Sequence, residues 1–86
     1  MRVLEDLLNK RKTTNPEERK IAALAERELE VIHFVGQGLK NKDVSDRLRI
    51  SEATVSHHLT SIYRKLEVED RTSLVIYAVK QRLLVL

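Results

Sequence analysis

Three histidines, His33, His57 and His58, are the side chains here best suited to chemistry near neutral pH. An imidazole can ligate a metal or pass a proton. Ligation needs donors that converge on one point. His57 and His58 are consecutive, and consecutive helical residues point about 100° apart. The pair therefore cannot easily chelate one ion, and no acidic or cysteine partner stands at ligand spacing. His33 reads as a helix-surface residue. The chain has no cysteine, which removes disulfides and thiolate sites. It offers no nucleophile–base pair, no glycine-rich phosphate loop and no paired carboxylates. An enzyme is not expected, and neither a cofactor nor a metal is called for. What remains is a run of small polar and basic side chains between Ser56 and Lys65.

Those residues need a helix to aim them. Val55, Leu59, Ile62 and Leu66 follow steps of four, three and four, one narrow apolar stripe on a helix from about Glu52 to Leu66. The opposite side carries Ala53, His57, Thr60, Ser61 and Arg64, with Ser56 on its edge. Ser51 is placed to cap this helix. Before it, a short helix spans about Lys42 to Leu48, with Asn41 as its N-cap and Val44 and Leu48 facing inward. Arg49 and Ile50 form the turn. A short helix, a tight turn and a longer helix with a polar outer face make a helix-turn-helix, here about Asn41 to Thr60. The first helix braces the second through Val44 and Leu48 against Val55 and Leu59. The second can enter a major groove, its N-terminal half meeting base edges. Arg64 and Lys65 lie further along, where basic side chains usually meet phosphates.

Two more helices must hold this unit. One runs from about Glu26 to Gln37, with Leu29, Ile32 and Val35 at helical spacing and Val31 and Phe34 flanking them. Glu26, Glu28 and Glu30 suit its early turns, and Gly36 and Gly38 mark its end. The other starts at Asp70, a plausible N-cap, and runs to about Gln81. Leu74, Tyr77 and Ala78 define one face there, and Val75, Ile76 and Val79 cover much of the rest. A helix apolar nearly all round needs a second surface against it.

Residues 1–20 differ in character. Val3, Leu4, Leu7 and Leu8 share a face of a possible short helix from Arg2 to Lys12. The polar stretch Lys12–Lys20, broken by Pro16, reads as a flexible linker or arm. At 86 residues the chain suits one domain, all-α given its many Leu, Glu, Lys and Arg and few turn formers. Only 3% of residues are aromatic, so the core must be aliphatic. The net charge of +3 is compatible with nucleic acid. No apolar stretch approaches the roughly 20 residues of a membrane span, and the start carries acidic residues. No membrane partner is expected and the reading is cytoplasmic.

Several blocks then stand in order: Ala25-Glu26-Arg27-Glu28-Leu29-Glu30-Val31-Ile32, Gly38-Leu39-Lys40-Asn41-Lys42-Asp43-Val44, Ile50-Ser51-Glu52-Ala53-Thr54-Val55-Ser56-His57-His58-Leu59, Ile62-Tyr63-Arg64-Lys65-Leu66-Glu67-Val68 and Arg71-Thr72. Together they resemble the LuxR-type helix-turn-helix family, which includes the output domains of NarL/FixJ-type two-component response regulators. The resemblance covers about residues 24–82. It implies a four-helix domain, placed at residues 21–86 after a linker or arm at 1–20. It implies that Ser56, His57 and Thr60 face bases of promoter DNA, with Thr54, His58, Arg64 and Lys65 near the backbone. It further implies a homodimer through the fourth helix, at Leu74, Val75, Ala78 and Val79, a receiver domain in the full-length protein, and RNA polymerase as a possible partner. Three positions depart from the family pattern. Ala25 stands where Thr or Ser usually caps, a loss of about 1 kcal/mol. Ser56 stands where Lys is frequent, removing a charge from the groove-facing surface. Glu67 replaces a frequent glycine, which predicts a different end to the helix before it.

The expected role is a sequence-specific transcription regulator binding DNA as a dimer. The sequence leaves open a free-standing regulator of the same family, a sigma factor region-four-like domain, and a protein-interaction module that binds no DNA.

Overall fold

A computed structural model describes residues 15–84, so the helix expected from Arg2 to Lys12 lies outside the described residues. Five helices and no strand occupy the described residues: α1 (Pro16–Ala22), α2 (Glu26–Gly36), α3 (Asn41–Leu48), α4 (Glu52–Leu66) and α5 (Arg71–Lys80). The all-α class follows. The four expected helices are α2 to α5, and α1 is added before them.

Helix α1 replaces the end of the expected linker. Asn15 Oδ1 accepts the amides of Glu17 at 2.9 Å and Glu18 at 3.3 Å. Pro16 takes the first helical position, where a missing N–H leaves no partner unsatisfied. The proline read as a breaker is a helix starter. Ile21 then packs against the core.

Helix α2 turns a different face inward than its leucine suggests. Glu28, Val31, Ile32 and Val35 are buried at i, i+3, i+4 and i+7, while Leu29 is 40% exposed. The cause is Glu28, whose carboxylate is bound by α4 and fixes the rotation of the helix. Its Oε1 also accepts the Ala25 N–H at 2.8 Å. Alanine has no oxygen to return that bond, so half of a capping box remains and the missing cap is partly replaced. Gly38, at φ 88°, turns the chain away toward α3.

Helices α3 and α4 pack on each other and on α2. Lys40, not Asn41, occupies the cap position of α3, without a side-chain bond; Asn41 is the first helical residue. Arg49, in the left-handed region at φ 60°, ends α3. Ser51 caps α4 by accepting the Thr54 N–H at 3.0 Å. All four residues of the predicted stripe, Val55, Leu59, Ile62 and Leu66, are buried. Helix α4 ends at Glu67 with φ 59° and ψ 43°, and the Val68 N–H reaches the Tyr63 carbonyl at 3.0 Å. This is the left-handed end that glycine would give, so the expected change of geometry does not occur. The side chain instead accepts local backbone strain.

Asp70 caps α5 by accepting the Ser73 N–H at 2.8 Å. Leu74 and Ala78 are fully buried, with α5 packed on α2. Both were expected on a dimer surface; they belong to the core of this chain. Tyr77 donates its hydroxyl to Glu17 Oε1 at 2.6 Å, tying α5 to α1. Burial and this carboxylate push the Tyr77 pKa well above its ordinary value. Past α5, Leu84 folds back onto the bare backbone of Gly36, filling the space a Cβ would need. No described helix is long and apolar enough to cross a membrane.

Candidate nucleic-acid interface

Helical geometry sorts the side chains of α4 into a centre and two flanks. At about 100° per residue, Ala53, His57, Thr60 and Arg64 fall opposite the buried stripe. All four are exposed. Ser56 lies on one flank, toward α3. Thr54, His58, Ser61 and Lys65 lie on the other, toward α2, and all four are partly buried. The expected base-facing residues Ser56, His57 and Thr60 are thus brought to one open surface with Arg64. The four residues expected near phosphates do not act as one group.

Lys65 differs most. Its ammonium donates to Glu28 Oε1 at 2.8 Å and to the Ala23 carbonyl at 3.0 Å, which turns it away from the outer face. Ser61 sits one turn earlier and donates to Glu28 Oε2 at 2.7 Å. One carboxylate thereby holds α4 at two successive turns. Burial works to raise the Glu28 pKa, but Lys65, the Ala25 amide and Ser61 together outweigh it and leave it below the ordinary range. Thr54 is engaged locally, its hydroxyl 2.9 Å from Ser51 Oγ. His58 is half-buried with its ring centroid 6.5 Å from that of His57, the rings inclined by 54°. Among the described residues no three His, Cys, Asp or Glu side chains gather as a metal site. His33 is exposed, with Nε2 2.9 Å from Gln37 Nε2.

Spacing missed two residues of the site. Asn41 Nδ2 donates to Ser56 Oγ at 3.3 Å, and Arg71 donates to Asn41 Oδ1 at 2.8 Å and to the Leu39 carbonyl. The side chain assigned to capping α3 therefore braces α4, and α5 braces it in turn. The contact also sets Asn41, between exposed Lys40 and Lys42 at the start of α3, at the edge of the outer face of α4. Neither Asn41 nor Arg71 carried a local signal for this, since their partners lie 15 and 30 residues away.

A family model described as bacterial regulatory proteins, luxR family, matches residues 22–78. The chain is 41% identical over 75 residues to the nitrate/nitrite response regulator protein NarP of Escherichia coli (strain K12), covering 87% of this chain and 35% of that protein. It is 47% identical over 57 residues to the transcriptional regulatory protein LnrK of Bacillus subtilis (strain 168), covering 66% and 26%. Among solved structures, the response regulator ChrA of a heme-sensing two-component system superposes with a TM-score of 0.68 at 48% identity, over 71% of this chain and 30% of that one. The response regulator StyR gives a TM-score of 0.73 at 32% identity, over 88% and 38%. The chain thus spans about a quarter to just over a third of the length of these relatives.

Proposed function

The chain belongs to the luxR family of bacterial regulatory proteins, and from that premise we propose that it is a sequence-specific, DNA-binding transcriptional regulator acting as the output domain of a two-component response regulator. The observation that carries this reading is the outer face of α4. His57, Thr60 and Arg64 stand exposed in its centre, Ser56 at its edge, with no large apolar side chain among them. Small polar groups of this kind can approach base edges, while Arg64, Lys40 and Lys42 supply phosphate contacts at the rim. Lys65 is left out of that set because its ammonium is occupied. The names of the relatives, as response regulators, support a place for this chain in such a protein.

Pairing on DNA rests on α5. Ile76 is 52% exposed, Val79 is 37% exposed and Val75 is half-buried beside them. These, rather than Leu74 and Ala78, make the surface on which a second copy would sit. Two copies would present two α4 helices to successive major grooves about one helical turn apart.

The test is selection from a random duplex library at fixed salt, followed by anisotropy titration on the enriched duplex. The expected result is one enriched motif, bound far more weakly by the double variant Thr60→Glu, Arg64→Ala. Binding unaffected by that pair would remove α4 as the reading face. Sedimentation of wild type and Ile76→Lys, with and without duplex, tests pairing.

A further inference from the structure

The bonds from Arg71 through Asn41 to Ser56 have a direction. A guanidinium only donates. The carbonyl end of the Asn41 amide must therefore face Arg71, at 2.8 Å, and its NH2 end must face Ser56 Oγ, at 3.3 Å. Arg71 also holds the Leu39 carbonyl just before α3, so its fork is fixed at two points. A serine hydroxyl has one hydrogen and two lone pairs. Asn41 occupies a lone pair and leaves the hydrogen available. Arg71 and Asn41 are half-buried, whereas Ser56 is exposed at the edge of the outer face.

From this we propose that Arg71 and Asn41 are positioning residues that fix Ser56 as a hydrogen-bond donor, so that the base it meets is one presenting a major-groove acceptor. The inference rests on the reading of α4 as the DNA-facing helix. Guanine offers N7 and O6 as acceptors at that edge, whereas cytosine offers only its N4 amino donor. Adenine N7 and thymine O4 are acceptors as well, so Ser56, with its hydrogen free, favours these bases and guanine over cytosine on the strand it faces. A lysine at this position would donate from its own ammonium wherever its flexible stem reached. A serine has a single hydrogen, and a neighbour decides where that hydrogen points.

Asn41→Asp reverses the polarity with almost no change of shape. The new carboxylate still accepts from Arg71, but toward Ser56 it can only accept. The hydroxyl must turn its hydrogen inward and present a lone pair to the DNA. Random-duplex selection is run in parallel on wild type, Asn41→Asp and Ser56→Ala. At one motif position, wild type should favour guanine over cytosine, roughly three- to tenfold for a single hydrogen bond. Ser56→Ala should flatten that position, and Asn41→Asp should shift it toward a donor-presenting base. A general loss of structure would weaken every position alike. Without DNA, the Asn41 side-chain amide resonances should move in both Ser56→Ala and Arg71→Lys. A wild type that enriches a motif which Asn41→Asp and Ser56→Ala leave unaltered overturns the relay alone, as do Asn41 resonances unmoved in Ser56→Ala. A wild type that enriches no sequence overturns the reading of α4 and the base assignment with it. Should Asn41→Asp fail to fold, the exposed position of Ser56→Ala keeps the test decisive.

Discussion

Replacing Lys65 with methionine should weaken the fold without altering the grip on DNA. Methionine keeps the apolar stem and removes the ammonium. Two bonds go with it, 2.8 Å to the Glu28 carboxylate and 3.0 Å to the Ala23 carbonyl. Hydrogen bonds to charged groups contribute about 1.5–3 kcal/mol each. The Lys65 side chain is 33% exposed, so water screens part of that value, whereas Glu28 is only 6% exposed and cannot rehydrate. Glu28 keeps the Ala25 amide and the Ser61 hydroxyl. The discounted loss is about 1.5–2 kcal/mol, equivalent to about 6–16 °C in Tm for a domain of this size. Urea and thermal denaturation followed by far-UV circular dichroism measure it. Anisotropy titrations between low and physiological salt measure the other half. Each lost phosphate contact lowers the salt slope by about one, which is expected for Arg64→Ala and not for Lys65→Met. A Lys65→Met protein that melts with wild type but loses a unit of slope would place the ammonium on a phosphate and refute the assignment.

Glu67→Gly should stabilise the domain by about 1 kcal/mol in urea denaturation, because glycine adopts φ 59° without strain and the ion pair it gives up with Lys20 is open to water on the Glu67 side. The lowered pKa of Glu28 means its contribution is present above the ordinary carboxylate range and is lost as pH falls through the folded value. Thermal melts of wild type and Glu28→Gln should therefore differ at neutral pH and converge in acid. Leu74→Ala should cost about 2–5 kcal/mol in denaturation, as for a fully buried leucine, whereas Val79→Lys should leave the monomer's stability close to wild type and shift sedimentation toward monomer. Asn15→Ala should remove the α1 cap at a cost of about 1 kcal/mol, with the loss seen as faster exchange of the α1 amides.

The helix-turn-helix was legible because its signals are local. The α4 stripe, the Ser51 cap and the Asp70 cap each depend on residues within a few positions of one another, and all three appear as read. The failures lie where a distant partner decides. Glu28 is set inward by Ser61 and Lys65, more than thirty residues away, so the spacing of Leu29, Ile32 and Val35 does not give the buried face of α2, and Leu29 lies outside it. The same bonds take Lys65 from the outer face. Asn41 has the residue type of a cap, but Arg71 and Ser56 claim both ends of its amide. At α5 the apolar wrap did not say which side the core would take. Leu74 and Ala78 went inward, leaving Ile76 and Val79 outside. Pro16 was the opposite case, a local signal assigned to the wrong rule.

The bond between Tyr77 and Glu17 joins residues 60 positions apart, from the first described helix to the last. Closing so long a loop carries an entropic cost that grows with its length, and little is gained until the intervening helices are in place. Loop closure alone therefore predicts that this seam is assembled late, after α2 to α5 have found one another. Helix α1 has seven residues and none of them is fully buried; besides the seam it is held by Ile21 against the core and by the Lys20–Glu67 ion pair. The bond is a latch: it fastens the chain before Ala23 to the helix that carries Ile76 and Val79.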